Sequence, residues 1–145
     1  MLGLMAGGMK SAEIRVHTGR TLVVDITQEV ERFCAELGHG LCHLFAPHAT
    51  AGLALMETGS GSEEDLAAAL DRILPRDFPW RHRHGSFGHG ADHLLPVLVS
   101  PSLVLAVRDG RPILGTWQSI VLVDPNKDNP ERRVILHFLP AAETA

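Results

Sequence analysis

Nine histidines stand in this chain of 145 residues. Four of them, His82, His84, His89 and His93, fall in one stretch, FPWRHRHGSFGHGADH, residues 78–93. An imidazole is the commonest nitrogen ligand for zinc and the side chain whose proton moves near neutral pH, so the stretch offers metal binding or acid–base chemistry. Spacing alone decides little between them. In an H-E-x-x-H helix two histidines share a face, whereas H-x-H and H-x3-H in a glycine-rich loop define no fixed geometry. For His84 and His89 the simpler reading is a solvated loop histidine. His48, in PHAT between two apolar runs, and His93, beside another, read equally well as structural or functional, and Glu57 closes the run that follows His48. His17, His39, His43 and His137 lie in or beside expected strands and turns and read as structural.

A second constellation is GRPILGTWQSI, residues 110–120. Gly115 inside a strand-like pattern implies a bulge or a close backbone approach. Thr116, Trp117 and Gln118 then place a hydroxyl, an indole and an amide together, a set able to line a pocket for a polar heterocycle or simply to pack a central strand. Arg108, Arg111, Arg132 and Arg133 flank turns of the same region; guanidinium groups bind phosphate well, although charged turn residues are ordinarily just solvated.

The elements that must position these residues follow from periodicity. Residues 13–18 and 21–26 read as a hairpin around Gly19, and 41–46 and 51–57 as strands flanking PHAT. Thr27 stands as an N-cap for a helix over 28–37, with Val30, Phe33, Cys34 and Leu37 on its buried stripe. Ser62 opens a second helix with Leu66, Leu70, Ile73 and Leu74 on one face, ending before Pro75. Residues 75–92 form a long loop, and loops of that length are usually functional or disordered. In 93–100, Pro96 suits the first turn of a short helix. Runs at 102–107, 112–123 and 132–139 read as a three-stranded meander. Hairpins dominate and no glycine-rich phosphate loop opens a helix, so the expected class is α+β, mostly antiparallel, with two to three helices packed on the sheet.

Composition narrows the partners. Lys and Arg number 13 against 17 Asp and Glu, giving a net charge of -4, and aromatic residues make up 5%; this excludes the basic, aromatic-rich surface of a nucleic-acid binder. The opening MLGLMAGGMK is too short and glycine-rich for a signal peptide or a membrane span. Residues 1–10 are expected to be a frayed tail and 11–145 a single domain. Cys34 and Cys42 sit apart in apolar segments and read as buried reduced thiols, which suits a cytoplasmic location.

Taken together, HATAGLALME (48–57), WRH (80–82), ADH (91–93), RDGRPILGTWQSIVLV (108–123) and RRVIL (132–136) resemble the YjbQ-like family in order and spacing, over about residues 12–139. The resemblance implies a β-sandwich-like α+β domain, a homotrimer, and secondary thiamine-phosphate synthase activity. That reaction joins hydroxymethylpyrimidine diphosphate to a thiazole phosphate with loss of pyrophosphate. It implies a divalent metal ion, zinc or magnesium, on His48, His82 and His93. Glu57, His48 and His93 would act in catalysis, and Thr116, Trp117, Gln118, Arg108 and Arg133 would bind a small phosphorylated substrate. Met56 and Thr58 depart from the family pattern, which has Asn on both sides of the glutamate, and Trp80 replaces a tyrosine. Two other readings stay open: a metal-assisted hydrolase of a small metabolite, and a non-catalytic binding trimer.

Overall fold

Strands whose residues alternate between apolar and polar bury one face and leave the other to water, whereas an unbroken apolar strand must be covered on both. Both kinds occur in the computed structural model, which describes residues 3–4 and 8–142. The chain runs β1 (Gly3–Leu4), β2 (Lys10–His17), β3 (Val23–Asp25), α1 (Thr27–Cys34), β4 (Gly40–Phe45), β5 (Gly52–Met56) and α2 (Ser62–Ile73). It continues through α3 (His89–Asp92), α4 (Leu95–Leu98), β6 (Ser102–Arg108), β7 (Arg111–Pro112), β8 (Ser119–Val123) and β9 (Glu131–Pro140). The strands form two antiparallel sheets, ordered β1-β2-β9-β4-β6-β7 and β3-β8-β5, in an α+β fold.

The large sheet alternates. Val16, Cys42, Leu44, Leu105, Val107, Val134, Leu136 and Phe138 point into the core, and Ile120 and Leu122 of β8 meet them from the small sheet. Val121 and Val123, on the other face of β8, pack with Leu95 under Leu66, Leu70 and Leu74 of α2. Because β8 is covered on both faces, it is the middle strand of the small sheet and the middle layer of the fold.

This layering corrects two expectations. Residues 102–139 are not a meander, since β8 leaves to pair with β3 and β5 while β9 sits between β2 and β4. Nor do β2 and β3 make a hairpin, and β4 and β5 likewise lie in opposite sheets. The cause is shared: each connection carries the chain across the core, so that two one-sided strands can bury their apolar faces against each other. Within the expected tail, residues 1–2 and 5–7 lie outside the described residues, but Gly3–Leu4 pair with Ser11 and Lys10, and Lys10 opens β2.

Local details differ as well. Thr27 is the first helical residue and not the cap: its hydroxyl donates to Asp25 Oδ1 at 2.6 Å and accepts the Ile120 N–H at 2.8 Å, tying α1 to β8. Ile73, placed on the buried stripe, is 60% exposed. Cys34 and Cys42 are free and buried side by side; the hydrogen bond with Cys34, and burial, push the Cys42 thiol up, so it stays protonated.

Candidate metal centre

Loop 75–88 carries two of the four histidines, and its path is set by its own contacts. The Trp80 indole donates to the Pro75 carbonyl at 2.9 Å, and Arg76 donates to the Phe87 carbonyl at 2.5 Å while pairing with the buried carboxylate of Asp92. Two glycines let the loop close on α3. Gly85 has φ +84°, and a side chain there would meet the His89 ring at 2.7 Å; a Cβ on Gly90 would lie 2.6 Å from Trp80 Cβ and 2.8 Å from the His82 carbonyl oxygen.

His89 and His93, one turn apart across α3, place their Nε2 atoms 2.8 Å from each other. His82 and His84 swing in from the loop, with the His82 ring centroid 4.5 Å from that of His93 and 4.0 Å from that of His84. One ring nitrogen from each of the four lies within 4.8 Å of the other three. Tetrahedral zinc with bonds of 2.0–2.1 Å sets nitrogens about 3.4 Å apart, so shifts of roughly an ångström complete the shell.

Loss of water around the rings, then repulsion from neighbouring imidazoles, lowers the pKa of His82 and of His93. That shift favours the neutral form of these two rings, the state in which imidazole ligates metal. His89 Nδ1 faces Asp128 Oδ2 at 3.3 Å. Hydrogen bonds led by the Ser86 hydroxyl hold that carboxylate below its usual range. Asn126 Nδ2 lies 3.1 Å from the same His89 nitrogen; in the tautomer whose Nδ1 proton turns to Asp128, the Nε2 lone pair is left for a cation. Asn126 Nδ2 donates to Asp92 Oδ2 at 3.0 Å, linking the 124–128 turn to α3. Four imidazoles suit zinc and its neighbours; magnesium, which asks for oxygen ligands, does not fit them.

The structure brings together His82 and His93, as expected, but with His84 and His89 in place of His48 and Glu57. His48 Nε2 lies 3.0 Å from the Arg133 N–H and 3.1 Å from the Arg133 carbonyl oxygen, so the Arg133 backbone engages that nitrogen in either tautomer; burial, then the Arg132 charge, lowers its pKa. It opens on a different cavity, of 330 Å³, with Glu13, Arg15 and Glu131. Glu57 follows β5 at the opposite end from the cluster. Register places Met56 against Ser119 and Gly52 against Val123, so Glu57 adjoins Gln118 while Asp124 and Asn126 leave from the far end, about 14 Å away at 3.4 Å per residue.

Thr116, Trp117 and Gln118 form an exposed turn between β7 and β8, and Gly115 begins that turn rather than bulging a strand. Its N–H donates to Gln118 Oε1 at 2.8 Å, and Trp117 is 72% exposed. Arg108 lies exposed opposite Arg111 at the end of β6, and Arg133 pairs with Glu13 at 3.3 Å. Arg132 forms a buried ion pair with Asp124 through Nε at 2.5 Å and donates from Nη2 to the Thr50 hydroxyl, so two of its three nitrogens are engaged within the fold.

Sequence reasoning missed Asn126 and Asp128, hidden in a turn-rich DPNKDNPE, and passed over His84 and His89. The H-x3-H spacing of His89 and His93 was the available signal, and a helix beginning after Gly88 would have put both on one face. One cavity of 290 Å³ collects His82, His84 and His89 with Arg76, Arg83, Phe78 and Trp80. Phe78 and Trp80 make a tilted aromatic pair with centroids 4.6 Å apart.

The family model described as UPF0047 protein YjbQ-like matches residues 12–141. The chain is 56% identical over 131 residues to UPF0047 protein Rv2556c of Mycobacterium tuberculosis, covering 90% of this chain and 98% of that protein. It is 35% identical over 130 residues to UPF0047 protein YugU of Bacillus subtilis, covering 86% and 93%. Among solved structures, a YbjQ-like protein of unknown function from Sulfolobus solfataricus superposes with a TM-score of 0.85 at 28% identity, covering 92% of this chain and 98% of that one. A hypothetical protein from Aeropyrum pernix gives 0.80 at 32% identity, covering 90% and 98%.

Proposed function

The chain belongs to the YjbQ-like UPF0047 family, and on that premise we propose that it is a zinc-dependent transferase acting on a heteroaromatic diphosphate, of the thiamine-phosphate synthase type. One observation carries this reading: four histidine nitrogens lie within 4.8 Å of one another, and three of those residues, His82, His84 and His89, line a cavity that also holds two arginines and an aromatic pair. His82, His89 and His93 hold the ion. His82 and His84 are both exposed on the loop; we take His84 as the one that would yield to substrate, since catalytic zinc keeps one position open. When bound, zinc supplies positive charge where a diphosphate leaving group accumulates negative charge.

The protein's own groups do the rest. Arg83 is anchored through Nε to the Trp80 carbonyl at 3.2 Å, which leaves its terminal nitrogens to donate to phosphate oxygens. Phe78 and Trp80 stack on the pyrimidine, and Asp128 holds His89 in the ligating tautomer. The thiazole nitrogen attacks the pyrimidine's methylene carbon as the carbon–oxygen bond to diphosphate breaks, and pyrophosphate leaves. The exposed face of the large sheet supports self-association, which the family resemblance makes a homotrimer: Leu41, Phe45, Val104 and Leu139 lie open to solvent there. His43 stacks on His137 at 5.9 Å beside them. Buried, unbridged Cys34 and Cys42 support a cytoplasmic location, and among the described residues no helix is long and apolar enough to cross a membrane.

Elemental analysis of protein purified without tag or chelator is expected to find about one zinc per chain, lost in His82→Ala/His93→Ala. Incubation with the two thiamine precursors is expected to yield thiamine phosphate only with zinc present. Zinc without product refutes the transferase, and no metal refutes the site. Four protein ligands are also the closed shell of a structural zinc site. That second reading predicts that chelation lowers the melting temperature or dissociates the oligomer while no substrate is turned over.

A further inference from the structure

Helix α2 runs twelve residues and buries none of them fully, although Leu66, Leu70 and Leu74 pack on the second core. A helix that hugged the sheet would seal those leucines. This one stands off at its C-terminal half, and the wedge beneath it is a 350 Å³ cavity floored by Leu22, Leu70, Leu74 and Leu95. Its walls carry Arg20, Arg76 and Lys127 against Asp71, Asp92 and Asp124. Two of these carboxylates are already matched: Arg76 pairs with Asp92, and Arg132, from outside the cavity, pairs with Asp124. Asp71 stands on the exposed rim. Arg20 and Lys127 are exposed and, among the described residues, pair with no carboxylate. The same two cations also line an adjoining 470 Å³ hollow with His17, Gly19 and Pro130, so they stand together at the mouth of the wedge.

We infer that this wedge is a binding site for a small amphipathic anion, a phosphate monoester or carboxylate whose apolar group lies on the leucines while Arg20 and Lys127 hold its charge. An apolar floor with a few converging polar groups is the ordinary make-up of a small-molecule site, and a pocket of this size suits a ligand of one ring. The site lies on the far side of α3 from the histidine cluster, and Arg76, paired with Asp92, is the wall residue that the two cavities share. Ala91, Asp92 and Leu95 face the wedge, whereas His89 and His93 face the other way into the cluster, and α3 stands between the two.

Isothermal titration calorimetry on the full chain, with phenyl phosphate, benzoate, inorganic phosphate and phenol as probes, tests the assignment. At least one of the aromatic anions is expected to bind ten times more tightly than both inorganic phosphate and phenol, and the stronger of the two identifies the headgroup. Arg20→Ala/Lys127→Ala is expected to weaken it at least tenfold. Ala67→Trp, which fills the wedge without touching a charge, is expected to abolish it, and His82→Ala/His84→Ala to leave it within twofold. The inference is overturned if neither aromatic anion exceeds both simple probes, if binding survives Ala67→Trp, or if it disappears with the histidines. Absence of zinc from the protein would leave it standing.

Discussion

Asp128 touches no ion, yet zinc binding should depend on it. Its carboxylate lies 3.3 Å from His89 Nδ1 and is held in place by the Ser86 hydroxyl at 3.0 Å and the Ser86 amide at 3.3 Å. Asn126 Nδ2 stands 3.1 Å from the same ring nitrogen; a proton on Nδ1 turned to the ionised Asp128 would leave the Nε2 lone pair facing His93. Asp128→Asn keeps the shape and removes the charge, so the ring is free to take the other tautomer or turn. Loss of such an outer partner typically weakens metal binding by about tenfold to a hundredfold, or about 1.4–2.7 kcal/mol at 1.36 kcal/mol per decade. Asp128 is 42% exposed, so the metal-free protein should keep its stability to within about 0.5 kcal/mol. Competition against a chromophoric zinc chelator gives the Kd, and urea unfolding of the metal-free variant gives the control. Wild-type zinc affinity in Asp128→Asn would refute the reasoning. A large drop in metal-free stability would instead make Asp128 an anchor for the loop through Ser86.

Removing Asp124 strands the Arg132 guanidinium, only 8% exposed, without its counter-charge; Asp124→Ala should cost about 3–5 kcal/mol in urea unfolding, as breaking one side of a buried ion pair does. Gly90→Ala should weaken zinc binding and lower stability by about 1–3 kcal/mol, since its methyl group would press on Trp80 and the His82 backbone; chelator competition and denaturation measure both. Stability of the metal-free protein should fall on acidification. His82 and His93 have folded pKa values below the ordinary imidazole value of 6.5, so on acidification the unfolded chain takes up protons first. Their contribution is complete above about pH 6.5 and is lost as pH falls toward the lowered values. Urea midpoints across pH 5–8 should show the slope, and His82→Ala/His93→Ala should flatten it.

Much of the local structure was legible in the chain itself. The alternation of residues 13–18 marks a strand, the short apolar runs at 41–46, 102–107, 112–123 and 132–139 bounded by turn residues mark others, and the leucine spacing after Ser62 marks α2, because periodicity and run length record how an element meets the core. Sheet membership was not legible. Pairing depends on where the core lies, and a strand with one apolar face carries no label for the sheet that receives it. The site divides in the same way. Residue types showed that histidines in 78–93 could do chemistry, and His89 and His93 needed only a helical turn to meet. That His82 and His84 join them, that Asp128 orients His89, and that His48 and Glu57 stand elsewhere was decided by tertiary contacts. Arg76 with Asp92 and Asn126 with Asp92 join residues 16 and 34 positions apart, and no local spacing encodes such a closure.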